Sequence, residues 1–166
     1  MNIEKQKIKK LNHRLDWPED DWDNAADENK LPNGTIVRDW REDGIRHLIM
    51  RGPASFNAYL GIPKDHPLAG FGYDDLPIDC HGGLTFSGGG NGKVFPQGYW
   101  WYGFDFAHLG DRCFYYEDGA LTNKLGVKKW TIAKIVEELY PVSRDFRSLA
   151  VLAEKIDKKK GEKLKK

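Results

Sequence analysis

The sequence predicts an α+β fold: an antiparallel sheet of about five strands with C-terminal helices packed on it. β-branched and aromatic segments, separated by Gly, Pro and Asp turns, fill residues 35–106. After Trp130 the pattern changes to apolar residues at three- and four-residue intervals, which is typical of amphipathic helices. Strands that precede helices, without alternating with them, favour α+β over α/β.

The five strands are predicted at about 35–40, 45–51, 56–62, 78–86 and 99–106. The first two flank Asp43-Gly44, the strongest short signal for a tight hairpin, because both turn residues need positive φ. Thr131 is expected to cap a first helix that Pro141 ends, and Ser143 to cap a second.

The chain divides into a basic arm and acidic Trp-containing loop (1–34), one domain (35–157) and a Lys-rich tail (158–166). A chain of 166 residues is the usual size of one domain. Twenty-six Lys and Arg residues nearly balance 25 acidic ones, so net charge does not favour a nucleic-acid partner. No signal peptide or long apolar run is present, and Cys80 and Cys113 match no zinc or disulfide pattern, so we expect a cytoplasmic protein without a membrane partner.

Candidate chemistry is concentrated between Pro77 and Asp111. Asp79 and His81 would share a face of a regular strand, and Asp105, His108 and Asp111 recur every three residues. A histidine beside a carboxylate suits general acid–base catalysis, and the same groups could ligate a divalent metal. We predict catalytic roles for His81, His108 and Asp105, and leave both chemistries open.

Ligand contacts are predicted around the same segment. Paired glycines let a backbone approach a phosphate, and an aromatic strand can offer a ring for a base to stack on. Against this, glycine runs also form plain hairpin loops, and part of the aromatic strand must be core. The predicted ligand-binding residues are Gly82, Gly83, Thr85, Ser87, Trp101, His66 and Asp111.

The strings HGGLTFS (81–87) and WWYGFDFAHLGD (100–111), preceded by YLGIP (59–63) and HPL (66–68), resemble a family of small proteins encoded by bacteriophages and prophages. The resemblance covers about residues 35–157. It implies a phage accessory protein acting in the host cytoplasm. By analogy with small phage proteins that blunt host immunity, such a protein would bind, and could hydrolyse, a small phosphate-bearing nucleotide-type ligand, with a divalent metal as a conceivable cofactor. The alternative is a non-enzymatic protein that inhibits a host macromolecule, and both are compatible with a homo-oligomer.

Overall fold

The computed structural model describes residues 31–114 and 127–163. The basic arm and most of the acidic loop predicted for 1–34 therefore lie outside the described residues, as does the end of the Lys-rich tail. Among the described residues, no helix is both long and apolar enough to cross a membrane.

Within the described residues, five antiparallel strands and one α-helix confirm the α+β prediction. The strands are β1 (Ile36–Glu42), β2 (Ile45–Arg51), β3 (Phe56–Pro63), β4 (Phe86–Gly89) and β5 (Tyr99–Asp105), and the helix is α1 (Ile132–Lys163). The order in the sheet is β1-β2-β3-β5-β4, so the last hairpin folds back and places β5 beside β3. The Asp43-Gly44 turn forms as predicted, with φ of 49° and 80° at its two residues.

The fourth strand is shorter than predicted and begins eight residues later. Residues 78–85 are not a strand, because Gly82 and Gly83 adopt φ of 69° and 82° and turn the chain before it can pair. Pairing starts at Phe86, opposite Gly103 of β5. This turn carries His81 away from the sheet and toward the loop that follows β5.

The C-terminal helix is also different from the prediction. Thr131 caps it as expected, since its Oγ1 accepts a hydrogen bond from the Lys134 amide at 3.3 Å. Pro141, however, lies inside one continuous helix and does not end it. Leu139, Val142 and Phe146 are buried on both sides of the proline, so packing against the sheet offsets the hydrogen bond that proline cannot donate.

The two faces of the sheet are covered differently. The face toward α1 holds the main core, with Tyr102 and Phe104 of β5 packed among the helix residues. On the opposite face, Leu48, Met50 and Trp101 form a second cluster under partly buried rings of Tyr59, Phe86, Phe95 and Tyr99. A layer of partly buried aromatic rings therefore covers this face of the sheet, where α1 covers the other.

His47 of β2 links the sheet to α1. Its Nε2 and the Ser143 hydroxyl are 2.7 Å apart, its ring stacks on Trp40 at 4.6 Å, and both linked residues are buried. Ser143 thus bonds the sheet and does not cap a helix. Burial, reinforced by the nearby Arg147 charge, lowers the pKa of His47 to about 4.

This lowered pKa predicts acid sensitivity. Because the unfolded chain binds the His47 proton at higher pH than the folded one, we expect about 3 kcal/mol of stability to be lost as pH falls from about 6.5 to 4. Urea unfolding across this range would measure it, with His47→Gln as the comparison, since glutamine cannot titrate there. Parallel pH profiles for the two proteins would contradict the prediction.

Candidate functional site: a His/Asp cluster

Two turns bring the candidate histidines together. The first runs from Cys80 to Gly83 and is closed by a hydrogen bond from the Gly83 amide to the Cys80 carbonyl at 2.9 Å. The second runs from His108 to Asp111 and is closed by the Asp111 amide on the His108 carbonyl, also at 2.9 Å. Each has a positive-φ glycine at its third position, Gly82 or Gly110, as type II turns require.

Asp111 is the centre of the cluster and is only 5% exposed. Its Oδ2 accepts hydrogen bonds from His81 Nε2 at 2.6 Å and from the His108 amide at 2.9 Å. Its Oδ1 accepts the indole N–H of Trp130 at 2.7 Å. Burial acts to raise the pKa of Asp111, but these hydrogen bonds, the one from His81 foremost, outweigh it and hold that pKa below its usual value.

His81 is held by rings as well as by Asp111. It stacks on Phe106 with an interplanar angle of 7° and lies 4.6 Å from the Trp130 ring. Because Asp111 accepts the proton on Nε2, a neutral His81 carries its lone pair on Nδ1. The His81 side chain keeps 25% exposure, so this anchored imidazole is still reachable from solvent.

His108 faces His81 edge to face, with ring centroids 5.0 Å apart. Its Nδ1 lies 3.6 Å from Asp111 Oδ2 and 3.8 Å from Asp105 Oδ1, and these spacings are too long for hydrogen bonds. Asp105 accepts a hydrogen bond from the Ala107 amide at 3.0 Å and stands at the edge of the cluster. The three predicted catalytic residues are thus neighbours, with Asp111 between the two imidazoles.

Gly82 makes room for His108. A Cβ atom at this position would lie 2.0 Å from His108 Nε2, so only glycine allows the ring to occupy its place. Gly83 has nothing within 4 Å of an equivalent Cβ. Gly82 therefore serves both the turn and the position of the His108 ring, whereas Gly83 is required only by its positive φ.

The other predicted ligand-binding residues have structural contacts of their own. Trp101 is fully buried in the second core cluster, and its indole N–H donates to the Pro96 carbonyl at 3.1 Å, so its ring offers no face for stacking. Ser87 Oγ accepts the Tyr73 amide at 3.1 Å, and Thr85 is exposed with its amide bonded to the Gly103 carbonyl. His66 accepts the Leu68 amide within the loop after β3 and takes no part in the cluster.

Trp130 and Lys128 belong to the site although the sequence did not indicate it. An isolated parallel bridge joins Asp111 to Lys128, and Lys128 Nζ lies 3.5 Å from the centre of the Trp130 ring. The Arg112 amide donates to the Lys128 carbonyl, which brings a second basic residue to the same place. The hydrogen bond between Trp130 and Asp111 joins residues 19 positions apart. No local sequence motif marks such a contact, so only the tertiary structure reveals it.

The two cysteines add no reactive thiolate. Burial, aided by the charge of Asp79, raises the pKa of Cys80 to about 12. Burial likewise raises the pKa of Cys113, so both thiols are protonated near neutral pH. His81, His108 and Asp111 are the side chains placed to act, and the same three have ligand atoms within 4.8 Å of one another.

Comparison of the chain with protein-family models, with curated proteins and with solved structures found no significant match.

Proposed function

We propose that the His81, His108 and Asp111 cluster is the site of a phage accessory protein that binds and hydrolyses a small phosphate-bearing nucleotide-type ligand. The observation that carries the proposal is the pair of imidazoles 5.0 Å apart, one of them fixed by a buried carboxylate. Hydrolysis requires at least two polar groups within reach of one bond, and this pair supplies them.

The charge around the cluster supports an anionic ligand. The Asp111 carboxylate accepts hydrogen bonds from three donors, and Lys128 Nζ lies over the Trp130 ring beside it. The Lys128 ammonium therefore supplies a positive charge beside the cluster, which favours a phosphate group, while Asp105 contributes a carboxylate at its edge. In hydrolysis, a water oxygen would bond to phosphorus and the ester P–O bond would break. One water proton would stay on the new phosphate hydroxyl, and the other would end on the released alcohol.

The nucleotide class and the phage setting come from the resemblance of residues 81–87 and 100–111 to small phage proteins. Such a ligand would be an immune signal of the host, removed either by sequestration or by hydrolysis.

Thermal melts with a nucleotide panel test the proposal. The full chain is heated with cyclic dinucleotides, cyclic oligonucleotides and ADP-ribose derivatives, with the matching unphosphorylated nucleosides as controls. A ligand at 100 times its dissociation constant should stabilise the protein by about 2.7 kcal/mol, and His108→Ala should abolish this gain while His66→Ala retains it. Chromatography of the ligand after incubation distinguishes hydrolysis, which gives products, from sequestration.

The absence of both shift and turnover across the panel, with and without divalent metal, would contradict the proposal. It would favour the second candidate function, a protein that binds a host macromolecule. The observation behind this alternative is Leu109, which is fully exposed at the tip of the His108–Asp111 turn, where an apolar side chain is available to a partner.

A further inference from the structure

One nitrogen of the cluster lacks any hydrogen-bond partner within the described part of the chain: Nδ1 of His108 is buried and unbonded. Buried polar atoms are nearly always paired with protein, water or an ion, so an unpaired one needs an explanation. The two nearest oxygen atoms belong to carboxylates, Asp111 Oδ2 at 3.6 Å and Asp105 Oδ1 at 3.8 Å. The nitrogen therefore faces acceptors that it does not reach.

These spacings match a shared metal ion better than a hydrogen bond. Two ligand atoms on one tetrahedral zinc ion, each about 2.1 Å from the metal, are about 3.4 Å apart. The distances from His108 Nδ1 to the two carboxylates are close to that value and need an adjustment of about half an ångström. A hydrogen bond would instead require these atoms to approach within about 3.2 Å.

His81 completes the donor set. Its Nε2 is 2.6 Å from Asp111 Oδ2, with the imidazole proton between them. An ion would replace this proton, and the two atoms would separate by about 0.8 Å to reach the spacing of two ligands on one ion. Asp111 Oδ1 would keep its hydrogen bond from Trp130 Nε1. This bond would hold the carboxylate in its orientation, as hydrogen bonds to metal ligands usually do.

We infer that His81, His108 and Asp111, with Asp105 at the edge, bind one divalent transition-metal ion of the zinc type. Two imidazoles and a carboxylate suit zinc and its first-row neighbours, whereas magnesium prefers a shell of oxygen ligands and water. The inference rests on the same cluster as the proposed function and specifies its chemistry: a bound ion of this kind polarises a phosphoryl oxygen and activates a water.

Titration calorimetry with zinc alone tests the site. The full chain, stripped of metal by a chelator and dialysed, should bind one Zn²⁺ per chain. His108→Ala should weaken binding at least about 100-fold, and Asp105→Asn about 10-fold. His66→Ala removes an imidazole outside the cluster and should leave the affinity unchanged, and Mg²⁺ should give no heat at concentrations where Zn²⁺ saturates.

Melting temperatures of the metal-free variants establish that each is folded, and Asp105→Asn provides a second test if His108→Ala is not. No zinc binding, or equal affinity in wild type and a folded His108→Ala, would overturn the inference. A nucleotide shift that persists in chelator without zinc binding would overturn the metal site and leave the proposed function standing. Zinc binding that depends on His108, together with no response to any nucleotide, would support the metal site and overturn the proposed function.

Discussion

Replacing Trp101 with alanine is expected to lower the free energy of unfolding by about 3–5 kcal/mol. The indole is fully buried in the cluster with Leu48 and Met50, and the ring of Phe95 lies 5.6 Å away. Its removal would leave a large cavity and an unpaired carbonyl at Pro96, which now accepts the indole N–H. Urea unfolding of the full chain measures the loss.

Trp100 provides the matched control, since it is the adjacent tryptophan but is only partly buried, with its N–H on the Phe71 carbonyl. Trp100→Ala should cost clearly less, about 1–2 kcal/mol. If Trp101→Ala instead kept nearly full stability and lost only nucleotide binding, the indole would be a stacking residue, as the sequence suggested, and its assignment to the core would be wrong.

Features that depend on neighbouring residues were the ones that the sequence predicted well. The Asp43-Gly44 hairpin and the Thr131 cap each follow from a few adjacent residues whose backbone needs are known. The alternation of apolar residues likewise identified four strands at nearly their observed positions. Local chemistry was sufficient for these elements because tertiary packing reinforces the same conformation.

Where packing opposes local preference, the sequence reasoning was wrong. Residues 78–86 have the composition of a strand, but the turn at Gly82 and Gly83 is needed to seat the His108 ring, so pairing starts only at Phe86. Pro141 was predicted to end a helix but lies inside one, because the apolar stripe on both sides of it favours one continuous helix. Neither competing force is visible within a short window of residues.

The sequence singled out His81, His108, Asp105 and Asp111 but not Trp130 or Lys128, and the functional roles given to those residues stay predictions. The three-residue spacing of Asp105, His108 and Asp111 predicted that one or two of them would share a face if the chain turned helical there. The chain forms a turn at 108–111 instead, and this turn places His108 beside Asp111. The central role of Asp111 could not be predicted, because it depends on Trp130, which reaches it from the segment before α1. Alternation along β5 left open whether Trp100 or Trp101 faces outward. Trp101 is buried because the aromatic layer covers the second face of the sheet.

Asp111→Ala is expected to destabilise the fold by about 3–5 kcal/mol, because it leaves three donors without their acceptor. These are His81 Nε2, the His108 amide and Trp130 Nε1, and together they join the 80–83 turn, the 108–111 turn and the segment before α1.

Asp111→Asn should cost less, since one amide oxygen can still accept the Trp130 N–H. Asp79→Ala, the loss of an exposed carboxylate in the same loop, should change stability by less than about 0.5 kcal/mol. Urea unfolding of metal-free protein ranks the three variants, and an Asp111→Ala protein as stable as Asp79→Ala would mean that Asp111 does not hold the cluster together.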